Sequence, residues 1–99
     1  MPRVIMTITY TIKPEKREEY LSLAREMKEH FSTVRKKNYG IFEGKVKRNQ
    51  FTEMFIADSM EEFEALDDNM DEKSDALLAK LEEYLDGDGM KYKTIVESL

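Results

Sequence analysis

From Val4 to Phe31 the hydrophobic period changes without a gap, and this change restricts the fold more than any other feature of the 99 residues. Val4, Met6, Ile8, Tyr10 and Ile12 alternate with Ile5, Thr7, Thr9 and Thr11, the period-two pattern of a strand. Pro14 has a fixed φ and no amide hydrogen, so it ends the ladder and suits the first turn of a helix. Glu15, Glu18 and Glu19 then sit near the positive end of the helix dipole, and Tyr20, Leu23, Ala24, Met27, Phe31 and Val34 recur at three- and four-residue steps. One strand feeds one amphipathic helix.

Beyond Arg35, Lys36 and Lys37, cations suited to a helix end, Asn38 and Gly40 lie where the chain turns back. Residues 39–47 are a predicted strand with Gly40, Phe42, Gly44 and Val46 on one face and Tyr39, Ile41, Glu43 and Lys45 on the other. Residues 51–57 are a third, with Thr52, Met54 and Ile56 opposed to Phe51, Glu53, Phe55 and Ala57. The short polar stretch around Arg48 and Asn49 makes the two a hairpin. An odd-numbered loop sets Phe42 across from Met54 and Glu43 across from Glu53, whereas an even one scrambles the faces. Ser59 and Glu62 form a capping box, and Phe63, Leu66, Met70, Leu77, Leu81 and Leu85 continue an apolar helix face. Asp67, Asp68 and Asn69 predict a kink or a break within it, Asp86-Gly87-Asp88-Gly89 a stop, and residues 91–99 a final strand.

Strand, helix, strand, strand, helix, strand within residues 1–99 predicts a single α+β domain. The fold is a ferredoxin-like β-α-β-β-α-β sandwich with a four-stranded antiparallel sheet and both helices on one face. A chain of this length buries roughly 65% of its unfolded surface and needs no metal or disulfide staple. With Val4, Met6, Ile8, Phe42, Val46, Met54 and Ile56 toward the helices, the open face carries Ile5, Thr7, Thr9, Ile41, Glu43, Phe51, Glu53 and Phe55. That face is too apolar to stay open and too polar for a dry core. A homodimer through the sheet face, enclosing a partly hydrated cavity, meets both demands.

Composition excludes several functions. The chain has no cysteine, which removes thiolate catalysis, disulfides and cysteine metal sites. No apolar run is long enough for a signal peptide or a bilayer span, so a cytoplasmic protein away from membranes is expected. A net charge of -5 without a basic aromatic stripe argues against nucleic acid. Asp67, Asp68, Asp71, Glu72 and Asp75 read as a solvated helix face, and Lys91 stands where a calcium loop would need glycine, so no metal is expected. Met6, Met27, Met54 and Met70 fall at packing positions.

The candidate ligand-binding residues are Thr7, Thr9, Tyr39, Glu43, Glu53 and Phe55, around a cavity for a small molecule. Glu43 and Glu53, if opposed, can share a proton, one carboxyl being raised to serve as a base or to hold a cation. Lys45, Lys47 or Lys93 would instead neutralise them. Threonine is favoured in strands in any case, and Tyr10, Tyr39 and Tyr92 suit packing as well as substrate contact. His30, one turn after Glu26, borders the apolar stripe with no serine or cysteine nucleophile motif beside it, and reads as a boundary histidine at a helix surface. No residue is assigned a catalytic role, and no cofactor is implied.

The run VIMTITYTIKPEKREEYLSLA, the hairpin, and FIADSMEEFEAL resemble the dimeric α/β-barrel superfamily, particularly its antibiotic-biosynthesis-monooxygenase-like and NIPSNAP-like members. The resemblance implies a homodimer packed sheet to sheet and a pocket between sheet and helices. Haem-degrading relatives carry asparagine where Thr7 stands, tryptophan where Ala57 stands, and a ligating histidine on the second helix. This chain has no tryptophan and only His30, on the first helix, so a haem role is not implied. Quinone-forming monooxygenase relatives also rely on tryptophan and asparagine. Two classes remain: a small-molecule-binding protein or cofactor-independent monooxygenase-like enzyme, and a non-catalytic homodimeric structural or regulatory domain.

Overall fold

Strand β1 (Val4–Thr11) pairs antiparallel with β3 (Gln50–Ala57) along one edge and with β4 (Lys91–Val96) along the other. β2 (Asn38–Glu43) lies outside β3 and completes a four-stranded antiparallel sheet in the order β2-β3-β1-β4. The computed structural model describes residues 2–34, 37–68, 71–87 and 89–98. The expected ferredoxin-like architecture is present, with α1 (Arg17–Glu29) following β1 and α2 (Met60–Asp68) and α3 (Glu72–Tyr84) following β3.

Local chemistry explains the boundaries. Pro14 opens a single 3₁₀ turn, Pro14–Lys16, ahead of α1, as its missing donor and fixed φ allow. The far end of α1 widens into a π turn, His30–Val34, and the amide of Lys37 returns to the carbonyl of Phe31 at 2.8 Å. At the start of α2 the Glu62 amide donates to Ser59 Oγ at 3.1 Å. The Glu62 carboxylate accepts from the amide of Asp58 at 2.8 Å, one residue before the expected box partner. The break expected near Asp67, Asp68 and Asn69 divides two helices; residues 69 and 70 and the side chains of 66–68 lie outside the described residues. Asp71 caps α3, accepting the Ser74 amide at 2.8 Å. α3 ends against the start of the chain: Lys13 donates to the carbonyl of Tyr84, Asp86 donates to that of Thr11, and Ile12 bridges Leu85. Gly87, at φ +87°, then turns the chain toward β4.

One core cluster lies between sheet and helices. Ile8, Tyr10 and Ile12 come from the β1 end, Tyr20, Leu23, Met27 and Phe31 from α1 and its π turn, and Leu77 and Leu81 from α3. Tyr39 of β2 with Phe51 and Phe55 of β3 complete it. The expected face of β1 and the apolar stripes of α1 and α3 are therefore observed. Val34, Arg35, Lys36, Met70 and Asp88 were also assigned roles from the sequence; the backbones of 35, 36, 70 and 88 and the side chain of Val34 lie outside the described residues.

The hairpin faces are the reverse of those expected. Tyr39, Phe51, Glu53, Phe55 and Ala57 are buried beneath the helices, whereas Phe42 is 57% exposed and Val46, beyond the end of β2, is 94% exposed. Directly opposed residues share a face, and the β1–β3 register sets Ile8 across from Glu53 and Tyr10 across from Phe51. The core thereby takes two phenylalanines and accepts Glu53 with them, while Thr52, Met54 and Ile56 go to the open face. Loop parity is odd, but the pairing is offset by two: Glu43 lies across from Phe51, Phe42 from Thr52, and Glu53 from Ile41. Glu43 and Glu53 do not oppose each other. Gly40 permits this arrangement, because a Cβ there would meet the ring of Phe42, two residues along the open face, at 3.1 Å.

This assignment of faces is open to direct test. Phe55→Ala is expected to cost about 3–5 kcal/mol in urea unfolding, and Val46→Ser less than about 0.5 kcal/mol; the opposite ranking would restore the original faces.

Candidate functional site

At the centre of the buried layer is a carboxyl group. β3 points Glu53 into the core between Phe51 and Phe55, where it is only 4% exposed. Tyr39 of β2 donates its hydroxyl to Glu53 Oε1 at 2.6 Å, and the Tyr10 hydroxyl of β1 lies near enough to favour the charge on the same carboxyl. The Tyr10 and Tyr20 hydroxyls are 2.8 Å apart, so α1 joins the network. Tyr20, Tyr10, Glu53 and Tyr39 form one buried polar line through an aromatic shell. Tyr39 and Phe55 have ring centroids 4.6 Å apart, Phe31 lies 5.0 Å from Tyr39, and Tyr20 lies 4.4 Å from Phe51.

The electrostatics follow from that burial. Loss of water raises the Glu53 pKa above its ordinary 4.5, and the hydroxyls of Tyr39 and Tyr10 oppose the rise without cancelling it. Tyr39 and Tyr10 are raised as well, first by burial and then by the Glu53 charge; Tyr20 is raised chiefly by burial. The phenols therefore stay protonated and serve as donors. A carboxyl with a raised pKa, held by phenolic donors in an apolar shell, is a candidate for taking up and returning a proton.

Glu43 belongs to a different cluster. Arg17, at the start of α1, grips it in a fork, Nη1 to Oε2 at 2.6 Å and Nη2 to Oε1 at 2.9 Å, and also donates to Asn49 Oδ1 at 2.8 Å. The Asn49 amide, from a residue at φ 68°, donates to Glu43 Oε2 at 2.9 Å. The Arg17 bonds, then that of Asn49, pull the Glu43 pKa down to about 2, so the expected partners Lys45, Lys47 or Lys93 are replaced by Arg17. An open cleft of about 380 Å³ runs along this clasp, lined by Arg17, Glu43, Gly44, Lys45, Val46 and Arg48.

The six candidate residues thus fall into three places. Tyr39, Glu53 and Phe55 come together in the core, Glu43 sits at the Arg17 clasp, and Thr7 and Thr9 lie on the open sheet face. Thr9 Oγ1 is 3.1 Å from Thr52 Oγ1, and Thr7 reaches the Lys93 carbonyl at 3.5 Å. The sequence reading missed Tyr20 as a polar partner. Its position on the stripe beneath β1 was visible, but its pairing with Tyr10 depends on how the helix crosses the strand.

It also placed His30 at a surface, whereas His30 is buried, its Nε2 3.2 Å from Asp71 Oδ1 and 3.2 Å from Ser74 Oγ. The spacing Asp71-Glu72-Lys73-Ser74 before an apolar run was a readable N-cap signal. A nucleophile relay needs the two ring nitrogens to serve different partners, and here one nitrogen meets both. The cluster joins the end of α1 to the start of α3. Hydrogen bonds from Ser74 and then His30 lower the Asp71 pKa.

No family model and no curated protein matches the chain. Solved structures do match over nearly its full length. A conserved protein from Methanosarcina mazei Go1 superposes with a TM-score of 0.82 at 15% identity, covering 99% of this chain and 95% of that one. A NIPSNAP family protein from Agrobacterium tumefaciens gives 0.74 at 18% identity, covering 94% and 90%. A variant of SnoaB, a cofactor-independent oxygenase from Streptomyces nogalater, gives 0.72 at 10% identity, covering 94% and 90%. The fold is the one shared by NIPSNAP and antibiotic-biosynthesis-monooxygenase proteins. Identities this low carry the fold and leave the chemistry to the residues of the site.

The raised Glu53 pKa has a signed consequence. Between 4.5 and the folded value the native state holds a proton that the unfolded chain has lost, so stability falls as pH rises through that window. Glu53→Gln keeps the shape and removes the titration. Its stability relative to the wild type in urea unfolding is expected to improve as pH rises above about 4.5 and to level off once the folded value is passed, and a difference independent of pH would mean that Glu53 titrates normally.

Proposed function

We propose that the protein is a homodimeric small-molecule-binding protein whose ligand site lies between sheet and helices, with Glu53 as its acid–base group. The observation that supports this reading is a carboxyl buried in an aromatic shell with a raised pKa and a phenol at 2.6 Å. Burial of an acid in a small core costs stability. Tyr39 is the residue a ligand hydroxyl would replace, since both offer an O–H to the same carboxylate oxygen. Phe31, Phe51 and Phe55 would then face the apolar part of the ligand.

The chemistry best suited to such a group is removal of a proton from an electron-rich hydroxyaromatic compound. The resulting anion can itself supply electrons to dioxygen, so the protein has only to bind, orient and deprotonate it. This is the cofactor-independent oxygenase reading, and SnoaB is described by that activity. It uses a residue set different from the asparagine and tryptophan of the quinone-forming relatives, because this chain has no tryptophan.

The dimer reading rests on the open face. Ile5, Met54 and Ile56 there are only half-covered, Phe42 and Ile95 are exposed, and Thr7, Thr9 and Thr52 form a polar strip among them. A second copy set face to face would bury the apolar residues and let the threonines bond across.

Two measurements test these readings. Dioxygen uptake and product mass over a panel of hydroquinones and hydroxynaphthalenes is expected to show turnover in the wild type. Glu53→Gln is expected to lower it by about 10²–10⁴-fold; equal turnover in the two proteins would remove Glu53 from the reaction. Phe42→Glu is expected to convert the sheet-face dimer to a smaller species in sedimentation, and an unchanged mass would reject that face as the interface.

A further inference from the structure

The two edges of the sheet are finished differently. At the β2 edge, Lys28 of α1 donates its ammonium to the outward carbonyl of Tyr39 at 3.0 Å, and the π turn packs alongside. Among the described residues the β4 edge has no such cover: all six residues Lys91–Val96 are exposed, including Tyr92, at 61%, and Val96 on the side facing the helix layer. A strand left uncovered on both faces and along one edge is a template for another strand.

Backbone direction and charge together select the occupant. The Glu97 amide donates to the Arg3 carbonyl at 2.9 Å, so odd-numbered residues of β4 turn toward β1, and Tyr92, Thr94 and Val96 aim their amides and carbonyls outward. Self-pairing can therefore join only even positions to even positions. Centring the pair on Tyr92 sets Lys91 against Lys93, and centring it on Lys93 sets that lysine against itself. Centring it on Ile95 leaves Tyr92 beyond the end of the other strand. Centring it on Thr94 sets Lys91 against Glu97, just past β4 and already held by Arg3 at 2.8 Å, twice, Tyr92 against Val96 twice, Lys93 against Ile95 twice, and Thr94 against its counterpart. Opposite charges, an aromatic against a β-branched residue, and paired threonines are the favourable cross-strand combinations. We propose that β4 pairs antiparallel with β4 of a second copy, Thr94 facing Thr94, to form a continuous eight-stranded sheet with all helices on one side.

This interface is separate from the sheet-face dimer, because it uses the edge and leaves Phe42 and Met54 free. The absence of cysteine makes the test clean. Single substitutions Lys93→Cys, Thr94→Cys and Ile95→Cys are placed under mild oxidant at micromolar concentration and read on a non-reducing gel. Thr94→Cys is expected to link at least about tenfold faster than the other two, whose Cα atoms in this register lie beyond the ~7 Å reach of a disulfide. Fastest linking at 93 or 95, equal rates at all three, or none at 94 would overturn the proposal. Thr94→Pro removes the outward amide while sparing the bonds to β1, and a proline is tolerated on an edge strand. It is expected to halve the sedimenting mass with circular dichroism unchanged, and a mass equal to the wild type would likewise overturn the proposal. Phe42→Glu keeps the two interfaces apart, since it is expected to leave the Thr94→Cys link intact.

Discussion

The period of a strand is two, and β3 therefore cannot bury Phe51 and Phe55 without burying Glu53 between them. Much of the molecule follows from that constraint. The two rings bring a large apolar area into a small core, and the acid that comes with them needs a partner away from water. Tyr39 and Tyr10 supply it from the strands on either side of β3, and Tyr20 extends the line into α1. These tyrosines also pack as rings, so one set of residues fills the layer and satisfies its polar centre.

The same constraint explains what the sequence revealed and what it concealed. β1 and α1 were legible because their two faces differ sharply: Val4, Ile8, Tyr10 and Ile12 against threonines, and Tyr20, Leu23 and Met27 against charges. The break before α3 and the Ser59 cap were legible from local backbone chemistry. β3 was ambiguous because each face carries both apolar and polar residues. A carboxylate is normally turned outward, whereas here Glu53 is buried with Phe51 and Phe55. β2 followed, since the odd loop, one of the two cases left open, carries a face error from strand to strand. The alternative pattern, two aromatic positions around an acid with tyrosines on neighbouring strands, has meaning only once the register is known.

His30 shows a second kind of illegibility. Its partners Asp71 and Ser74 are more than forty residues away, and only the packing of α1 against α3 brings them together. Because Asp71 already caps α3 through the Ser74 amide, His30 adds a tertiary tie to a local motif. That tie holds the π turn in place, and the π turn positions Phe31 against Tyr39 and Phe55. The cluster thus reaches the Glu53 site through ring packing alone.

Those relations locate where a ligand would have to enter. Glu53 is flanked by Ile8 on β1 and Ile41 on β2, so its carboxyl can be approached only from the helix layer or past the Tyr39 end of β2. The helix layer over β1 is tied at both ends, by Arg17 to the hairpin and by the stitch from Tyr84 and Leu85 to Ile12 and Lys13. The β2 side depends instead on Lys28, half-exposed contacts and the π turn, an irregular segment that can rearrange at lower cost than a helix interior. A molecule that displaced the Tyr39 hydroxyl would therefore also press on Phe31, and through it on the His30–Asp71 tie. On the proposed reading, binding at the acid would bear on the α1–α3 junction through Phe31 and the π turn, residues that the sequence presents only as core.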